Sequence, residues 1–231
     1  MNVFNNRIFN GWNEFDSGRT HCDVRFTHCT FQSCSLALSE RDLAKRARVV
    51  NAELRQCSIA ACGVTAVVFE DVLVDGLRTS SLFQTWAAVF KHVTLKGKID
   101  RVMFSPFFHP GYYKSQFQRV VSEANASYYA GVDWALDIRE AEFKDFDCRG
   151  VPSRLVKRDP ETQIMVTRER VLKCGDAIRA GGPFWESWLK LFVEDGWYED
   201  GVLVVPKRSS KRHELAAGLQ QLRRYGVAEV D

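Results

Sequence analysis

Between Ala52 and Val74 the apolar residues recur in steps of five: Ala52 and Leu54, Cys57 and Ile59, Cys62 and Val64, Val67 and Phe69, Val72 and Val74. Polar or small residues fill the positions between them, among them Glu53, Arg55, Gln56, Ser58, Thr65, Glu70 and Asp71. A helix returns to one face every ~3.6 residues and a strand every second residue, so neither keeps all these pairs on one side. The chain must turn a corner in every block. The same step appears at Val24/Phe26, Cys29/Phe31 and Cys34/Leu36, again at Ala88/Phe90 and Val93/Leu95, and last at Leu136/Ile138, Ala141/Phe143 and Phe146/Cys148.

Two segments interrupt the step. Ser39 with Asp42 three residues on approaches a capping box, and Leu43, Ala44 and Ala47 follow, which predicts a short helix over 39–48. Pro106, Pro110 and Gly111 punctuate a turn, and Tyr112, Tyr113, Phe117, Val120, Val121 and Ala124 have helical spacing, which predicts a second helical insert over about 111–126. Between Val74 and Ala88 the step slips by one residue, as a bulge or extended corner would require. Residues 1–21 hold Phe4, Ile8, Phe9, Trp12 and Phe15 without a sustained period and read as a cap over the first pass.

With a small residue at one position of each block and Leu, Ile, Val or Phe two residues later, segment 22–152 resembles the pentapeptide-repeat family. The resemblance implies a mainly β chain: a right-handed, four-sided parallel β-helix of about four to five coils, here carrying helical inserts. Residues 153–231 differ and read as an α or α+β cap or subdomain. Asp159 and Pro160 suit a helix start, whereas Gln163–Thr167 alternates like a strand, and both readings stay open. Phe184, Trp185, Trp188, Leu189, Leu191 and Phe192 have helical spacing closed by Gly196. Val202–Val205 reads as a buried strand, and a helix follows Ser210 to its stop at Gly226.

A 231-residue chain that is 45% hydrophobic can bury a substantial core. It has no run of eighteen apolar residues, and Met1–Arg7 lacks the features of a secretory signal, so the expectation is a soluble, cytoplasmic protein outside any membrane. Four of the seven cysteines, Cys29, Cys34, Cys57 and Cys62, occupy the small-residue position, which suits reduced, packed thiols.

Several constellations could carry chemistry. His21, Cys22, His28, Cys29 and Cys34 offer zinc-type donors, but without a known finger's spacing, and they read as interior thiols and solvated imidazoles; no metal and no cofactor is expected. Asp133, Asp137, Glu140, Glu142, Asp145 and Asp147 could include an acid/base pair, yet they alternate with apolar residues like a solvated face. There is no nucleophile elbow or phosphate loop, and Cys174 lies among basic residues with no histidine beside it in sequence. Lys207, Arg208, Lys211, Arg212, Arg223 and Arg224, against Glu214 alone, form a basic stretch that could meet a polyanion.

These readings point to a binding protein, not an enzyme, that presents a rigid wall to an unidentified protein partner as an adaptor, a scaffold or an immunity-type protein. Tyr112, Tyr113, Tyr128, Tyr129 and Trp134 are candidate partner anchors, with packing of the insert onto the coil as the other reading of the same residues. The alternatives are a nucleic-acid-associated protein, a topoisomerase-binding protein of the pentapeptide-repeat type, or a hydrolase or lyase on a β-helix. A net charge of +3 fits poorly with DNA mimicry. The oligomeric state is open between monomer and homodimer. The register makes Ile59 an inward residue, so Ile59→Asp should abolish folding, read as loss of the β circular dichroism signal; a native, soluble variant would overturn the register.

Overall fold

The computed structural model describes residues 1–108, 116–196 and 198–228. The chain is mainly β, built on one large curled sheet of 14 strands in which every pairing is parallel, with helices set against it. In chain order the strands are β1 (Asn2–Asn5), β2 (Ile8–Asn10), β3 (Asn13–Phe15), β4 (Thr20–Thr27), β5 (Thr30–Gln32), β6 (Ser35–Ala37) and β7 (Arg48–Ala60). They continue with β8 (Gly63–Thr65), β9 (Val68–Thr79), β10 (Phe83–Trp86), β11 (Val89–Ser105), β12 (Leu136–Asp137), β13 (Ala141–Cys148) and β14 (Val156–Lys157). Each pass of the chain pairs with the pass before it, so that Asn2, Val24, Ala52, Val72, Val93, Leu136 and Val156 stand in register one above the next.

The corner in each block is a single left-handed residue. Asn51, Gln56, Ala61, Ala66, Asp71 and Gly76 follow at intervals of five with φ between 50° and 75°, and Asp23, His28 and Ser33 do the same one pass earlier. Left-handed backbone costs a non-glycine residue about 1–2 kcal/mol, so so many of them persist only because the surrounding ladder bonds fix them. The residue after each corner points inward and is small: Ala52, Cys57, Val67 and Val72 are 0–5% exposed. The four repeat cysteines use their thiols alike, Cys29, Cys34, Cys57 and Cys62 each donating to a carbonyl of the preceding pass, from Phe4, Phe9, Phe26 and Phe31, at 3.4–3.5 Å.

The sheet is deeper than the matching blocks suggest. Residues 1–21 are not a cap: β1, β2 and β3 pair in parallel with β4, β5 and β6 as a first pass. In register with the small apolar residues of later passes it holds Asn2, Arg7 and Trp12, all exposed, which hides the period. β14 adds a last rung beyond residue 152. The one-residue slip lies between Thr79 and Phe83, because Ile59 pairs with Thr79 but Val64 pairs with Thr85. A second irregularity interrupts β11 between Lys96 and Ile99, where Gly97 has φ 67°.

The first insert is a single 3-10 turn, Leu43–Lys45, capped by Asp42, whose carboxylate accepts from the Ala44 N–H at 3.0 Å; Ser39 instead hydrogen-bonds Asp16. The second holds helix α1 (Gln116–Ala130), which lays Phe117 and Val121 on the buried corner alanines Ala66 and Ala87. Only alanine-sized corners let a helix come this close.

The C-terminal part docks on the sheet. β15 (Gln163–Thr167) and β16 (Asp200–Val204) form an antiparallel pair, which settles Gln163–Thr167 as strand. Along β16, Val202 and Val204 join the main core with Phe143, while Leu203 joins Trp185, Leu189, Phe192 and Leu219 in a second core. That second core is closed by α2 (Arg168–Cys174), α3 (Pro183–Asp195) and α4 (Arg212–Arg224). The Gln163 side chain donates to the Ile138 carbonyl at 2.9 Å and Asp200 accepts from the Ser153 N–H at 2.9 Å, tying the two parts together. Among the described residues no helix is long and apolar enough to cross a membrane.

Ala61 is an exposed corner with φ 52°, so packing does not mask its backbone preference. Urea unfolding should rank Ala61→Gly above wild type by about 0.5–1 kcal/mol and Ala61→Val below it by about 1–2 kcal/mol. A destabilising glycine would show that this corner is not left-handed.

Candidate interaction surface

Outward side chains form ladders across the passes. Arg25 grips Glu53 in a bidentate pair at 2.8 Å, Arg55 reaches the same carboxylate at 2.8 Å, and both Arg55 and Lys96 lie 3.7 Å from Asp75. The hydrogen bonds from Arg25 and then Arg55 pull the Glu53 carboxyl down to about 2. Signs alternate because parallel in-register pairing places like positions opposite one another, where like charges would repel.

A second ladder runs along one corner. Asp23, Asn51, Asp71 and His92 occupy equivalent left-handed positions, and the Asn51 side-chain amide donates to Asp23 at 2.5 Å. His92 closes it, with Nδ1 3.0 Å from Asp71 and Nε2 2.7 Å from Asp133. Its ring lies against Trp134, centroids 4.8 Å apart, and Lys157 stands over Trp134 with Nζ 3.6 Å from the ring centroid. Asp71, His92, Asp133, Trp134 and Lys157 thus form one surface gathered from β9, β11, the segment after α1, and β14.

The hydrogen bond to Asp133, helped by that to Asp71, raises the His92 pKa despite its partial burial, and Asp133 is lowered in return by its bond to His92. With both ring nitrogens engaged on carboxylates, the imidazolium has no nitrogen free to take a proton from a substrate, so the arrangement suits a structural clamp better than a general base.

The tyrosines predicted as anchors separate. Tyr112 and Tyr113 lie outside the described residues. Tyr129 is 3% exposed and its hydroxyl accepts from the Phe90 N–H at 3.3 Å, so it packs α1 onto the sheet and presents nothing to a partner. Tyr128 is half-buried, its hydroxyl donating to Glu70 at 3.1 Å while Arg48 holds the other carboxylate oxygen at 2.7 Å; burial, then the Glu70 charge, raises the phenol's pKa. Trp134 keeps part of its surface open. His92, which completes the surface with Lys157, was not singled out from sequence. The signal that could have found His92 is its polar corner position in a column shared with Asp23, Asn51 and Asp71.

The basic residues do not converge. Lys207 pairs with Asp159 at 3.0 Å, Arg208 with Asp100 at 2.9 Å, and Arg223 donates to the Pro160 carbonyl. Lys211 and Arg212 are exposed at the start of α4 and Arg224 at its end, about 20 Å away along a 13-residue helix. Two further arginines are also engaged: Arg168 donates to the Phe192 and Val193 carbonyls at the end of α3, and Arg170 to the Ala228 carbonyl.

Among the acidic residues, Asp137 pairs with Arg139, and Glu140, Glu142 and Asp145 are exposed. Asp147 is the exception: burial raises its pKa although Arg149 binds it at 2.8 Å. Cys29 and Cys34 are buried and His21 faces Glu14 at 3.0 Å, so the zinc-type donors of that segment point apart; among the described residues no group of three His, Cys, Asp or Glu is placed to hold a metal ion. The Cys174 thiol lies 3.7 Å from the Tyr225 carbonyl.

No protein-family model matches the sequence, and no curated protein matches it.

A raised folded-state pKa means that His92 stabilises the fold while protonated. Its contribution is complete below the unfolded value of about 6.5 and is lost as pH rises through the folded value. The difference in urea midpoint between wild type and His92→Gln should therefore be largest near about pH 5.5 and shrink at alkaline pH. A difference that grows with pH would reverse the assignment.

Proposed function

We propose that this chain is an interrupted repeat protein of the pentapeptide type, a right-handed, four-sided β-helix that acts in the cytoplasm as a non-enzymatic binding protein for a protein partner. The left-handed residue at every fifth position over Asn51–Gly76 supports the repeat, since it is the corner that a four-sided coil needs. The functional reading rests on the Asp71–His92–Asp133–Trp134–Lys157 surface. A partly open tryptophan is fixed there between an imidazolium and an ammonium, on a wall whose backbone is bonded on both sides. Rigid aromatic anchors flanked by charge are what interface hot spots are made of, because little side-chain entropy remains to be lost on binding. An adaptor, scaffold or immunity-type role fits such a surface.

Two observations weigh against the other readings. The outer ladders alternate in sign, whereas a DNA mimic of the topoisomerase-binding kind needs a continuous negative face. Half of the candidate polyanion-binding residues are already engaged within the protein, leaving Lys211, Arg212 and Arg224 for phosphate.

The test is capture from the native cytoplasm with tagged protein, with and without nuclease, using wild type, Trp134→Ala combined with Lys157→Glu, and Lys211→Glu combined with Arg212→Glu. One nuclease-resistant protein, retained by the α4 variant and lost at least tenfold by the Trp134/Lys157 variant, is the expected result. Capture that disappears with nuclease or with the α4 variant would replace this reading with nucleic-acid binding.

A further inference from the structure

Two pairs of thiols stand one above the other on consecutive passes. Ser58 pairs with Thr30 and Gly63 with Ser35, so Cys57 follows Cys29 and Cys62 follows Cys34 at equivalent positions. Cys34 Sγ lies 3.5 Å from the Phe9 carbonyl and 3.3 Å from that of Gln32. Cys62 Sγ lies 3.5 Å from the Phe31 carbonyl and 3.4 Å from that of Ala60, and these are the register partners of Phe9 and Gln32. The surroundings of one sulfur are those of the other moved by one pass, which sets the two sulfurs one strand spacing apart, ~4.8 Å.

That separation selects the chemistry. A disulfide needs its sulfurs about 2.05 Å apart and its Cβ atoms within about 4.5 Å, closer than the ~4.8 Å between paired positions of neighbouring parallel strands. A thiolate–metal bond is about 2.3 Å, so one ion held in line between two sulfurs spans ~4.6 Å. Zinc does not suit such a place, because it takes four ligands and, among the described residues, no third His, Cys, Asp or Glu joins the pair. Two soft thiolates suit a soft monovalent ion, Cu(I), instead.

The two pairs differ in access. Cys29 and Cys57 are 1% and 0% exposed, whereas Cys62 keeps part of its surface open, and Cys34 and Cys62 both line an apolar hollow on the inner side of the sheet. The Cys34 N–H also points at Cys62 Sγ, 3.4 Å away, a donor already placed for a sulfur that carries negative charge.

We propose that Cys34 and Cys62 form a two-coordinate site for Cu(I). As the ion enters, each thiol releases its proton to solvent, so two S–H bonds are exchanged for two S–Cu bonds and no electron is transferred. The weak hydrogen bonds from the thiols to the Phe9 and Phe31 carbonyls are given up. The bound ion ties two passes together and so stabilises the fold.

The experiment titrates the whole chain anaerobically with Cu(I) against the chromogenic chelator bicinchoninate, in a Cys22→Ser/Cys174→Ser background that removes two accessible thiols outside the pairs. One equivalent should be taken from the chelator, copper X-ray absorption should show two sulfur neighbours and no nitrogen, and Cu(I) but not Zn(II) should raise the thermal midpoint. Cys62→Ser, whose hydroxyl can keep the bond to the Phe31 carbonyl, should bind Cu(I) at least tenfold more weakly, as should Cys34→Ala, while Cys57→Ser should bind like the parent. No uptake by the parent, uptake only with loss of the β circular dichroism signal, nitrogen in the copper shell, undiminished uptake by a folded Cys62→Ser or Cys34→Ala protein, or loss of uptake in a folded Cys57→Ser protein would each overturn the proposal.

Discussion

The structure depends on a backbone constraint: one left-handed residue in every five. Three or four extended residues can pair with the passes above and below only if the chain then turns sharply, and a single αL residue is the shortest way to turn it. The residues that accept this conformation are mixed. Asp23, Asn51, Asp71 and His92 are of the types that tolerate it, but Gln56, Ala61, Ala66 and Ala87 are not so favoured. Their strain is offset by neighbours, because each corner stacks on another corner and the N–H groups at corners, such as those of His28 and Ser33, donate to carbonyls of the next pass. The fold is thus cooperative along its axis in the way of stacked repeats, each pass making its neighbour's corners affordable.

Once the corners are set, each side-chain position acquires one environment repeated down the axis. The position after the corner faces inward beside the backbone of the preceding pass, which limits its size and explains the thiols donating to carbonyls of Phe4, Phe9, Phe26 and Phe31. Outward positions meet their own equivalents, so their charges must alternate, as Arg25, Glu53, Arg55 and Asp75 do. Some corners are polar and solvated, as at Asp71, while others are alanine and covered, as at Ala66 and Ala87 beneath α1. A helical insert can therefore seat on one corner column without disturbing the passes on either side of it.

What could be read from the chain follows the same division. The middle passes are legible because Cys57/Ile59 and Cys62/Val64 report a side-chain period, and the helices at Pro183–Asp195 and Arg212–Arg224 are legible because their apolar faces and glycine stops are local. The first pass is not, since its outer edge has no neighbour to impose small apolar residues, and Asn2, Arg7 and Trp12 stand there instead. The candidate surface is the least legible part. His92 and Asp133 are 41 residues apart, and only the return of the chain after α1 brings them within 2.7 Å. Tyr128 and Tyr129 are adjacent in sequence, yet one meets the half-buried Glu70 carboxylate on β9 and the other is sealed in the core, a difference set by helical rotation rather than by residue type.

The insert also explains why the surface is where it is. Across residues 106–131 the stack gives up its five-residue step, and the next rung must be rejoined at Leu136, opposite Val93. Three contacts hold that junction: Asn125, anchored to the Ala87 carbonyl and accepting from Arg46 at 2.9 Å, Tyr129 on the Phe90 N–H, and His92 on Asp133. The first two are buried, and burial depresses the Arg46 guanidinium to about 10. The third is solvated and places Trp134 against the imidazole ring. A junction required for covering the sheet thereby leaves a fixed aromatic group at the surface, where the chain returns from the second insert.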